Sequence, residues 1–400
     1  MGHESRGRGR REPRGGARRS GLLAAVVGAA AAALLAACTP PTPPSPPADP
    51  APPVIHSFTT RAERSAAPVV AAVGWRISDP NGGPLTCRVD ADGDGSFEHE
   101  IEPCRSVDSV LGDYPTAGVR TLTLEVDDGD FPPVTATTQI EVGEGPDETY
   151  EITLRLDPGM RPEFREAFED AARRWEEVIV AGVPDERLDL ALNPFGFPPF
   201  NGVVDDVLID ARDVPIDGPG KILGRAGGFA IREAHWQPYY GIMEFDTADL
   251  EMLDATGRLG DVILHEMGHV LGLGTNYLLI GLVDGFPFDP HYTGRAGVAA
   301  HQELGGDRYV PLEDQGGLGT AVGHWRESVF GNELMTGYLN QGSQPLSRLT
   351  VAALADLGYG VDLSAADPYS IPSGPAASRQ EPPLHLHTIP IEPGIGGPRR

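Results

Sequence analysis

The sequence predicts a multidomain protein in which an all-β sandwich precedes an α+β domain. Short alternating strands separated by turn clusters fill residues 54–146, and a strand followed by a long amphipathic helix opens residues 147–365. The chain has 400 residues, of which 40% are hydrophobic, and this is enough for two or three domains with their own cores. It holds a single long apolar run, which excludes a polytopic membrane protein.

Charge is unevenly distributed along the chain, whose formal net charge is −27. The first 37 residues hold seven Arg and two Glu, a net charge of +5, so the remainder carries −32. A protein that binds nucleic acid needs a basic surface to neutralise phosphates. The composition therefore excludes the simplest nucleic-acid binder, and we expect no nucleic-acid partner.

The amino-terminal segment has the pattern of an export signal. An Arg-rich stretch precedes the apolar run 21–37, and Cys38 follows at once. Residues 35–38 (LAAC) resemble a bacterial lipobox, in which the Cys becomes the acylated first residue of the mature protein. A single transmembrane anchor is the alternative, although about 17 apolar residues are marginal for spanning a bilayer. The pattern favours a signal peptide at 1–37, lipidation at Cys38, and a bacterial cell-envelope or extracellular location.

A proline-rich segment follows the lipobox. Residues 38–53 are dominated by Pro, with Thr, Ser, Ala and Asp between the prolines. Such a composition favours extended polyproline II backbone and no packed core. We therefore interpret this segment as a tether that holds a folded body away from a membrane.

Residues 54–146 have the strand spacing of an immunoglobulin-like sandwich. Apolar or alternating runs such as 69–75 and 121–126 are separated by turn clusters such as 79–83. The pattern is similar to that of bacterial PKD-type modules. Cys87 and Cys104 both fall in this domain, and two cysteines in one exported β-module most simply form a disulfide.

One turn of the sandwich has the D-x-D-x-D-G pattern of a calcium loop. Asp90, Asp92 and Asp94 provide the three carboxylates, and Gly95 follows them. An EF-hand loop needs an acidic residue at the twelfth position, where Ile101 stands. Asp and Gly also form ordinary solvated β-turns. Both interpretations, Ca²⁺ and a plain turn, stay open, and the missing ligand favours the turn.

The α+β domain, residues 147–365, begins with an alternating strand at 150–156 and a helix with Pro162 at its start. Apolar residues at spacings of three and four predict the core-facing stripe of that helix; they are Phe164, Phe168, Ala171, Ala172, Trp175 and Val178. The last 35 residues, 366–400, are rich in Pro, Gly and Ser and show little periodicity, and we expect a disordered tail.

The motif H-E-x-x-H lies at 265–269 within an apolar segment. Residues i and i+4 share one face of a helix, so His265 and His269 converge on one metal ion. Glu266 lies beside that ion, where its carboxylate can take a proton from water attacking a carbonyl group. The flanking apolar residues predict a buried helix, which Gly272 and Gly274 end. The segment predicts a catalytic Zn²⁺ site with Glu266 as general base.

A catalytic zinc site needs a third protein ligand and an open position. In the compact metzincin pattern H-E-x-x-H-x-x-G-x-x-H, the third His would stand at the position that Thr275 occupies. A threonine does not replace an imidazole, so the ligand must come from further along the chain. His291, His301 and His324 are candidates, and spacing alone does not choose among them.

The segment 321–337 (AVGHWRESVFGNELMTG) resembles the leishmanolysin family of metzincin peptidases. In that family an insertion precedes the third ligand, which a His-Trp pair supplies, and an Asn-Glu-Leu-Met segment forms the methionine turn beneath the metal. The resemblance therefore implies that His324 is the third zinc ligand and that Met335 lies in the methionine turn. It extends over about 150–362 through three further segments, GIMEFD at 241–246, LSRLT at 346–350 and DLGY at 356–359.

This resemblance implies an α+β metzincin-type catalytic domain behind the PKD-type sandwich. It implies a zinc endopeptidase that acts on proteins or peptides, and the lipobox at 35–38 adds the expectation that this enzyme is secreted and lipid-anchored. The alternative is a surface lipoprotein, inactive or directed at non-protein bonds, that binds a partner through the sandwich. The family's prosegment carries a zinc-blocking cysteine, and this chain has no unassigned Cys for that role. We therefore do not expect latency by that device.

Overall fold

The computed structural model describes residues 50–193, 195–233, 236–317, 319–373 and 384–388. The predicted signal peptide at 1–37 and Cys38 lie outside the described residues, as do residues 39–49 of the tether. Among the helices of the described ranges, none is long and apolar enough to cross a membrane.

Seven strands form a β-sandwich at the beginning of the described chain. They make two antiparallel sheets, with strand orders β1-β2-β5 and β4-β3-β6-β7. Their bounds are β1 (Val54–Arg61), β2 (Val69–Ser78), β3 (Thr86–Asp90), β4 (His99–Ile101), β5 (Val107–Tyr114), β6 (Gly118–Asp127) and β7 (Val134–Val142). This architecture agrees with the all-β sandwich expected for residues 54–146.

Alternation along the strands explains the core between the two sheets. On β6, Leu122, Leu124 and Val126 are fully buried, and the residues between them are partly exposed. Trp75 of β2 is buried in the same core. Cys87 and Cys104 form the predicted disulfide, with 5.5 Å between their Cα atoms. The bridge joins β3 to the segment after β4.

The α+β domain is organised around a six-stranded mixed sheet with the order β18-β20-β13-β14-β12-β8. β8, β12 and β14 are parallel to one another, and β13 is antiparallel to β14. The strands are β8 (Ile152–Leu156), β9 (Ile179–Ala181), β10 (Glu186–Leu190), β11 (Phe200–Val204), β12 (Val207–Val214), β13 (Ile222–Ile231), β14 (Pro238–Asp246), β15 (Val283–Asp284), β16 (His291–Tyr292), β17 (Val310–Pro311), β18 (Tyr338–Leu339), β19 (Gly360–Val361) and β20 (Leu384–Thr388).

Six α-helices accompany these strands within the described ranges. They are α1 (Pro162–Val178), α2 (Thr247–Ala255), α3 (Leu259–Val270), α4 (Arg295–Glu303), α5 (Glu327–Phe330) and α6 (Arg348–Asp356). The predicted stripe of α1 is buried in full, and its Trp175 indole N–H donates to the Leu264 carbonyl of α3 at 3.0 Å. α1 therefore supports the helix that carries the H-E-x-x-H motif.

The sandwich packs against α4, α6 and β19 of the α+β domain, and side chains at α4 make hydrogen bonds to it. The Ser109 hydroxyl contacts the Gln302 side chain at 2.6 Å, and the Leu111 N–H donates to the Glu303 carboxylate at 2.7 Å. Arg105 donates to the Gly306 carbonyl. Leu111 also belongs to the apolar core of the α+β domain. The two domains are thus packed together by hydrogen bonds and a continuous apolar contact.

Two segments of the expected disordered tail have defined contacts or regular structure. The Asp367 carboxylate accepts from the Leu346 N–H at 2.8 Å, and the Tyr369 hydroxyl donates to the Phe330 carbonyl at 2.6 Å. Further on, β20 pairs with both β13 and β18. The difference arises because two open strand edges supply partners to a short segment that shows little periodicity of its own. Residues 374–383 and 389–400 lie outside the described part.

A buried carboxylate joins α6 to α4. Asp356 accepts hydrogen bonds from the N–H groups of Ala296 and Gly297, both at 2.8 Å, and from the Tyr292 hydroxyl at 2.9 Å. Burial raises the pKa of this carboxyl group to about 6, although the three hydrogen bonds oppose the rise.

We expect this carboxylate to make stability depend on pH. Its folded-state pKa lies above the ordinary 3.8, so its stabilising contribution is complete below pH 3.8 and is lost as the pH rises through 6. The unfolding free energy of the unmodified chain minus that of Asp356→Asn should fall by about 2 kcal/mol between pH 4.5 and pH 7.5. Urea denaturation of both proteins at both pH values measures this, and a constant difference would contradict it.

Candidate metal centre

The helix α3 carries the H-E-x-x-H motif through the interior of the α+β domain. Its apolar residues other than Leu264 are buried, and His265, Glu266 and His269 are at most 1% exposed. The helix ends at Leu271 because Gly272 follows in the left-handed region with φ of +105°. A Cβ atom at that position would also lie 2.8 Å from the Asn276 amide nitrogen, so only glycine fits.

Three imidazole rings converge at one point. The Nε2 atoms of His265 and His269 are 2.9 Å apart, and that of His324 lies 3.2 Å from the first and 3.0 Å from the second. Tetrahedral zinc with ~2.0–2.1 Å bonds places its nitrogen ligands ~3.3 Å from one another. The cluster therefore has the size that one zinc ion requires.

Backbone carbonyl groups fix the tautomer of all three rings. The Nδ1 atoms of His265, His269 and His324 lie 2.7–2.8 Å from the carbonyl oxygens of Leu334, Leu273 and Thr320. A carbonyl oxygen only accepts, so each Nδ1 carries the hydrogen and each Nε2 of a neutral ring keeps its lone pair. Three lone pairs that face one another at about 3 Å repel unless a cation lies between them. The arrangement fits a metal ion.

Burial also keeps these rings in the form that binds metal. It lowers the pKa of His265 to about 4. Burial lowers the pKa of His269 well below its ordinary value, and the two neighbouring imidazoles add to this effect. Both rings are therefore neutral near pH 7, as zinc ligands must be.

The other two candidate ligands lie elsewhere. The His301 Nδ1 atom is 2.8 Å from the Asp307 carbonyl oxygen, and its ring packs beside Phe330. His291 packs against Tyr309. Both line a cleft of about 740 Å³ that Arg105 of the sandwich also lines. Of the three candidates left open by spacing, His324 is the one that the fold brings to His265 and His269.

Met335 lies directly beneath α3. A Cβ atom at Gly268 would lie 3.0 Å from the Met335 sulfur and 3.1 Å from the Trp175 ring, so a side chain at this position of the motif would crowd both residues. The Trp325 N–H donates to the Met335 carbonyl at 2.9 Å. The segment that holds Met335 thus contacts α3 and Trp325, the residue after His324. The methionine turn stays a prediction.

Glu333 is a buried carboxylate to which the sequence analysis assigns no role. It is 0% exposed and accepts from the Met335 N–H and the Ser347 hydroxyl, both at 2.6 Å, and from the Thr350 hydroxyl at 2.5 Å. The Thr350 oxygen in turn accepts from the Trp325 indole N–H at 2.8 Å. One carboxylate therefore ties the Met335 turn to α6 and, through Thr350, to the residue beside His324.

Removing the Glu333 carboxylate should reduce stability and zinc affinity, although Glu333 is not one of the three histidine ligands. We expect Glu333→Ala to reduce the unfolding free energy by about 3–5 kcal/mol, because several buried donors lose their acceptor. Zinc affinity should fall about 10–100-fold, the usual effect of a residue that orients ligands. Denaturant titration and competition with a zinc chelator measure the two effects.

Two variants control that experiment. Glu333→Gln retains an acceptor and should recover much of the zinc affinity. Glu251→Ala removes a carboxylate that is 78% exposed and should leave both quantities unchanged. Equal zinc affinity in Glu333→Ala and the unmodified chain would contradict the positioning role.

Backbone segments form two walls beside the histidines. On β13, a Cβ atom at Gly224 would lie 3.4 Å from the Glu266 Cγ atom and 2.9 Å from the Phe245 ring. Just before β18, a Cβ atom at Gly337 would lie 3.4 Å from the His324 ring. The absence of side chains at these two glycines lets backbone approach the general-base candidate on one side and the third histidine on the other.

The predicted calcium loop brings its carboxylates together. Asp90, Asp92, Asp94 and the unpredicted Glu98 each offer an oxygen atom, and these atoms lie within 4.8 Å of one another. The loop also closes on itself, since Asp90 accepts from the N–H groups of Gly93 and Gly95 at 2.7 and 3.1 Å. Asx-turn bonds of this kind form in plain turns as well. Calcium at this loop stays a prediction.

Part of the chain is similar to known peptidases. Residues 202–372 match the family model described as leishmanolysin. A leishmanolysin-like peptidase of Drosophila pseudoobscura pseudoobscura is 48% identical over 60 residues, and one of Drosophila melanogaster is 44% identical over 64. The aligned stretches cover 15% and 16% of this chain and 9% of each relative. The resemblance recognised from the sequence is confirmed for this segment.

Solved structures similar to the chain include PKD domains. The PKD1 domain of Vibrio anguillarum Epp is 20% identical and covers 24% of this chain and 99% of its own, with a TM-score of 0.19. The PKD1 domain of the Vibrio cholerae metalloprotease PrtV is 22% identical and covers 23% and 99%, with a TM-score of 0.18.

Proposed function

We propose that this protein, whose residues 202–372 are leishmanolysin-like, is a zinc endopeptidase that hydrolyses peptide bonds in proteins. The observation that carries the proposal is the convergence of three Nε2 atoms, from His265, His269 and His324, within 3.2 Å of one another. Glu266 follows the first of these histidines on the same helix. Three protein ligands leave a fourth position open, which is typical of catalytic zinc.

The metal and Glu266 have separate roles in the proposed reaction. A zinc ion, when bound, polarises the scissile carbonyl group and lowers the pKa of water. The Glu266 carboxylate takes a proton from the attacking water as the new C–O bond forms. It then gives that proton to the leaving nitrogen as the C–N bond breaks. Burial of Glu266, which is 0% exposed, strengthens its interaction with charge that develops nearby.

The histidines contribute orientation as well as ligand atoms. Each ring is held by a carbonyl group that comes from a different part of the fold: the Met335 turn, the end of α3, and the loop before His324. These bonds keep each ring oriented toward the centre before a metal arrives. The proposed enzyme therefore has a preorganised site.

The amino-terminal pattern supports an envelope location for this activity. A lipid on Cys38 and a Pro-rich tether up to residue 53 would hold the sandwich and the peptidase domain outside the cell, near a membrane. Metabolic labelling with a radiolabelled fatty acid checks this, because Cys38→Ser should abolish labelling of the protein. An unmodified protein that takes up no label would remove the lipid anchor from the proposal.

A direct test uses the chain from Thr39 onward and an unfolded protein substrate, with mass spectrometry of the released peptides. Peptides should appear with zinc, disappear after chelation, and return when zinc is added back. Failure to cut while one zinc is bound per chain would contradict a protein-directed endopeptidase. It would leave the alternative of a lipoprotein that acts on non-protein bonds or binds a partner through its sandwich.

A further inference from the structure

The carboxyl-terminal strand β20 is inserted between two strands that flank the metal centre. On one side it is parallel to β13, where Ile222 pairs with His385 and Arg225 pairs with His387. On the other side it is antiparallel to β18, where Tyr338 pairs with His385. The backbone of residues 384–388 thus fills the position between these two strands.

Both neighbours of β20 belong to the walls of the centre. Gly224, which packs beside the Glu266 side chain, lies on β13 between Ile222 and Arg225, which both pair with β20. Gly337, which packs beside the His324 ring, immediately precedes the β18 residue that pairs with His385. β20 also approaches α3 itself. β20 therefore pairs with the two segments whose glycines pack beside Glu266 and the third histidine.

We infer that residues 384–388 are an intramolecular ligand of the catalytic cleft, defined here as the space between β13 and β18 beside the metal centre, and hold the enzyme in a latent state. The inference rests on the proposed function, because it concerns access to the same centre. A backbone strand that pairs with an open sheet edge uses the hydrogen-bonding groups that an extended peptide substrate would use. While β20 is paired with β13, a substrate strand cannot pair with that edge.

Prolines flank the strand β20 in the sequence. Pro382 and Pro383 precede it, and Pro390 follows it two residues after its end. Proline has no N–H group and does not extend a strand ladder. The prolines therefore bound the segment 384–389, which contains the five residues of β20.

The connection to the body of the domain is short, since ten residues separate 373 from 384. A segment attached this closely in sequence to its binding site has an effective concentration of about 1 mM. A segment that binds its cleft with a Kd of about 0.1 mM would then leave about one cleft in eleven open. Weak pairing is thus sufficient for latency, and removing the strand should raise kcat/KM about tenfold.

Two truncations of the zinc-loaded chain test this inference. Deletion of residues 384–400 should raise kcat/KM for a fluorogenic peptide about tenfold. Deletion of 389–400, which retains β20, is the matched control and should leave kcat/KM at the level of the full chain. In the full chain, Leu386→Pro removes a backbone N–H of the strand and should also raise activity.

A binding measurement provides a readout that does not depend on catalysis. The probe is a fluorescein-labelled synthetic peptide with the sequence of residues 380–392, added to zinc-loaded chains that carry Glu266→Ala. It should bind the 384–400 deletion with a Kd near 0.1 mM and bind the full chain at least tenfold more weakly, because β20 competes. Thermal unfolding of each chain identifies a truncation that fails to fold.

The two proposals fail in different ways. Latency through β20 would be overturned if kcat/KM is unchanged both after deletion of 384–400 and in Leu386→Pro, and if the full chain and the deletion bind the probe equally. The peptidase proposal would still stand. If no chain cleaves the substrate and only the 384–400 deletion binds the probe, the peptidase proposal is contradicted. β20 would then still be a ligand of the cleft.

Discussion

Replacing Glu266 with Gln is expected to reduce kcat/KM for a peptide substrate by about 10³–10⁴-fold while zinc remains bound. The amide has the size of the carboxylate but does not accept a proton, so the general-base step is lost. His265, His269 and His324 keep their carbonyl partners in this variant. Steady-state kinetics and a zinc determination on the same sample measure both parts of the expectation.

A carboxylate on the same helix provides the control. Asp261→Asn makes an equivalent change in the first turn of α3, at a partly exposed position. This variant should retain kcat/KM within about twofold, because a surface substitution usually shifts stability by less than 0.5 kcal/mol. A Glu266→Gln protein that cuts as fast as the unmodified chain would show that another group removes the proton.

Replacing His324 with Ala is expected to remove catalytic zinc. The centre would retain two histidine ligands where catalytic sites have three, and we expect zinc affinity to fall by at least ~100-fold. Activity should fall below detection at equimolar zinc. Competition with a chromogenic zinc chelator gives the affinity, and circular dichroism shows whether the fold remains.

His301→Ala and His291→Ala are the matched controls for this change. Both histidines lie in the cleft beside the sandwich and hydrogen-bond or pack there. Each variant should bind zinc as tightly as the unmodified chain. Loss of zinc in His301→Ala together with retention in His324→Ala would reverse the assignment of the third ligand.

Local patterns predicted the parts of the structure that local geometry determines. The three-and-four spacing from Phe164 to Val178 predicted the buried face of α1. The separation of four residues between His265 and His269 predicted rings on one helix face, and their Nε2 atoms lie 2.9 Å apart. Cys87 and Cys104 lie in one β-module and form its disulfide.

Local spacing did not identify the third histidine of the metal centre. His324 is 55 residues from His269, and no helical or strand period links positions so far apart. Spacing therefore left three histidines open, and the resemblance to a family selected one of them. The fold brings that one to the centre through contacts of the His324–Met335 segment with α3 and α6.

Features that depend on tertiary contacts were missed for the same reason. Glu333 is the only charged residue between Glu327 and Arg348, and this isolated charge is the one signal that the sequence offers. Its buried hydrogen-bond network depends on the fold. Glu98 joins the acidic loop because β3 and β4 pair, which the loop motif alone does not predict. β20 depends on two strand edges, each more than 40 residues from it in the chain.

The docking of α4 on the sandwich has a thermodynamic consequence for the metal. Closing a free loop of the 55 residues between the second and third histidines costs about 3.5 kcal/mol of chain entropy. Because Gln302 and Glu303 fasten that loop to β5, part of the cost is met when the protein folds, before metal binds. We therefore expect the sandwich to raise zinc affinity, although the described histidines that converge at the centre all lie in the α+β domain.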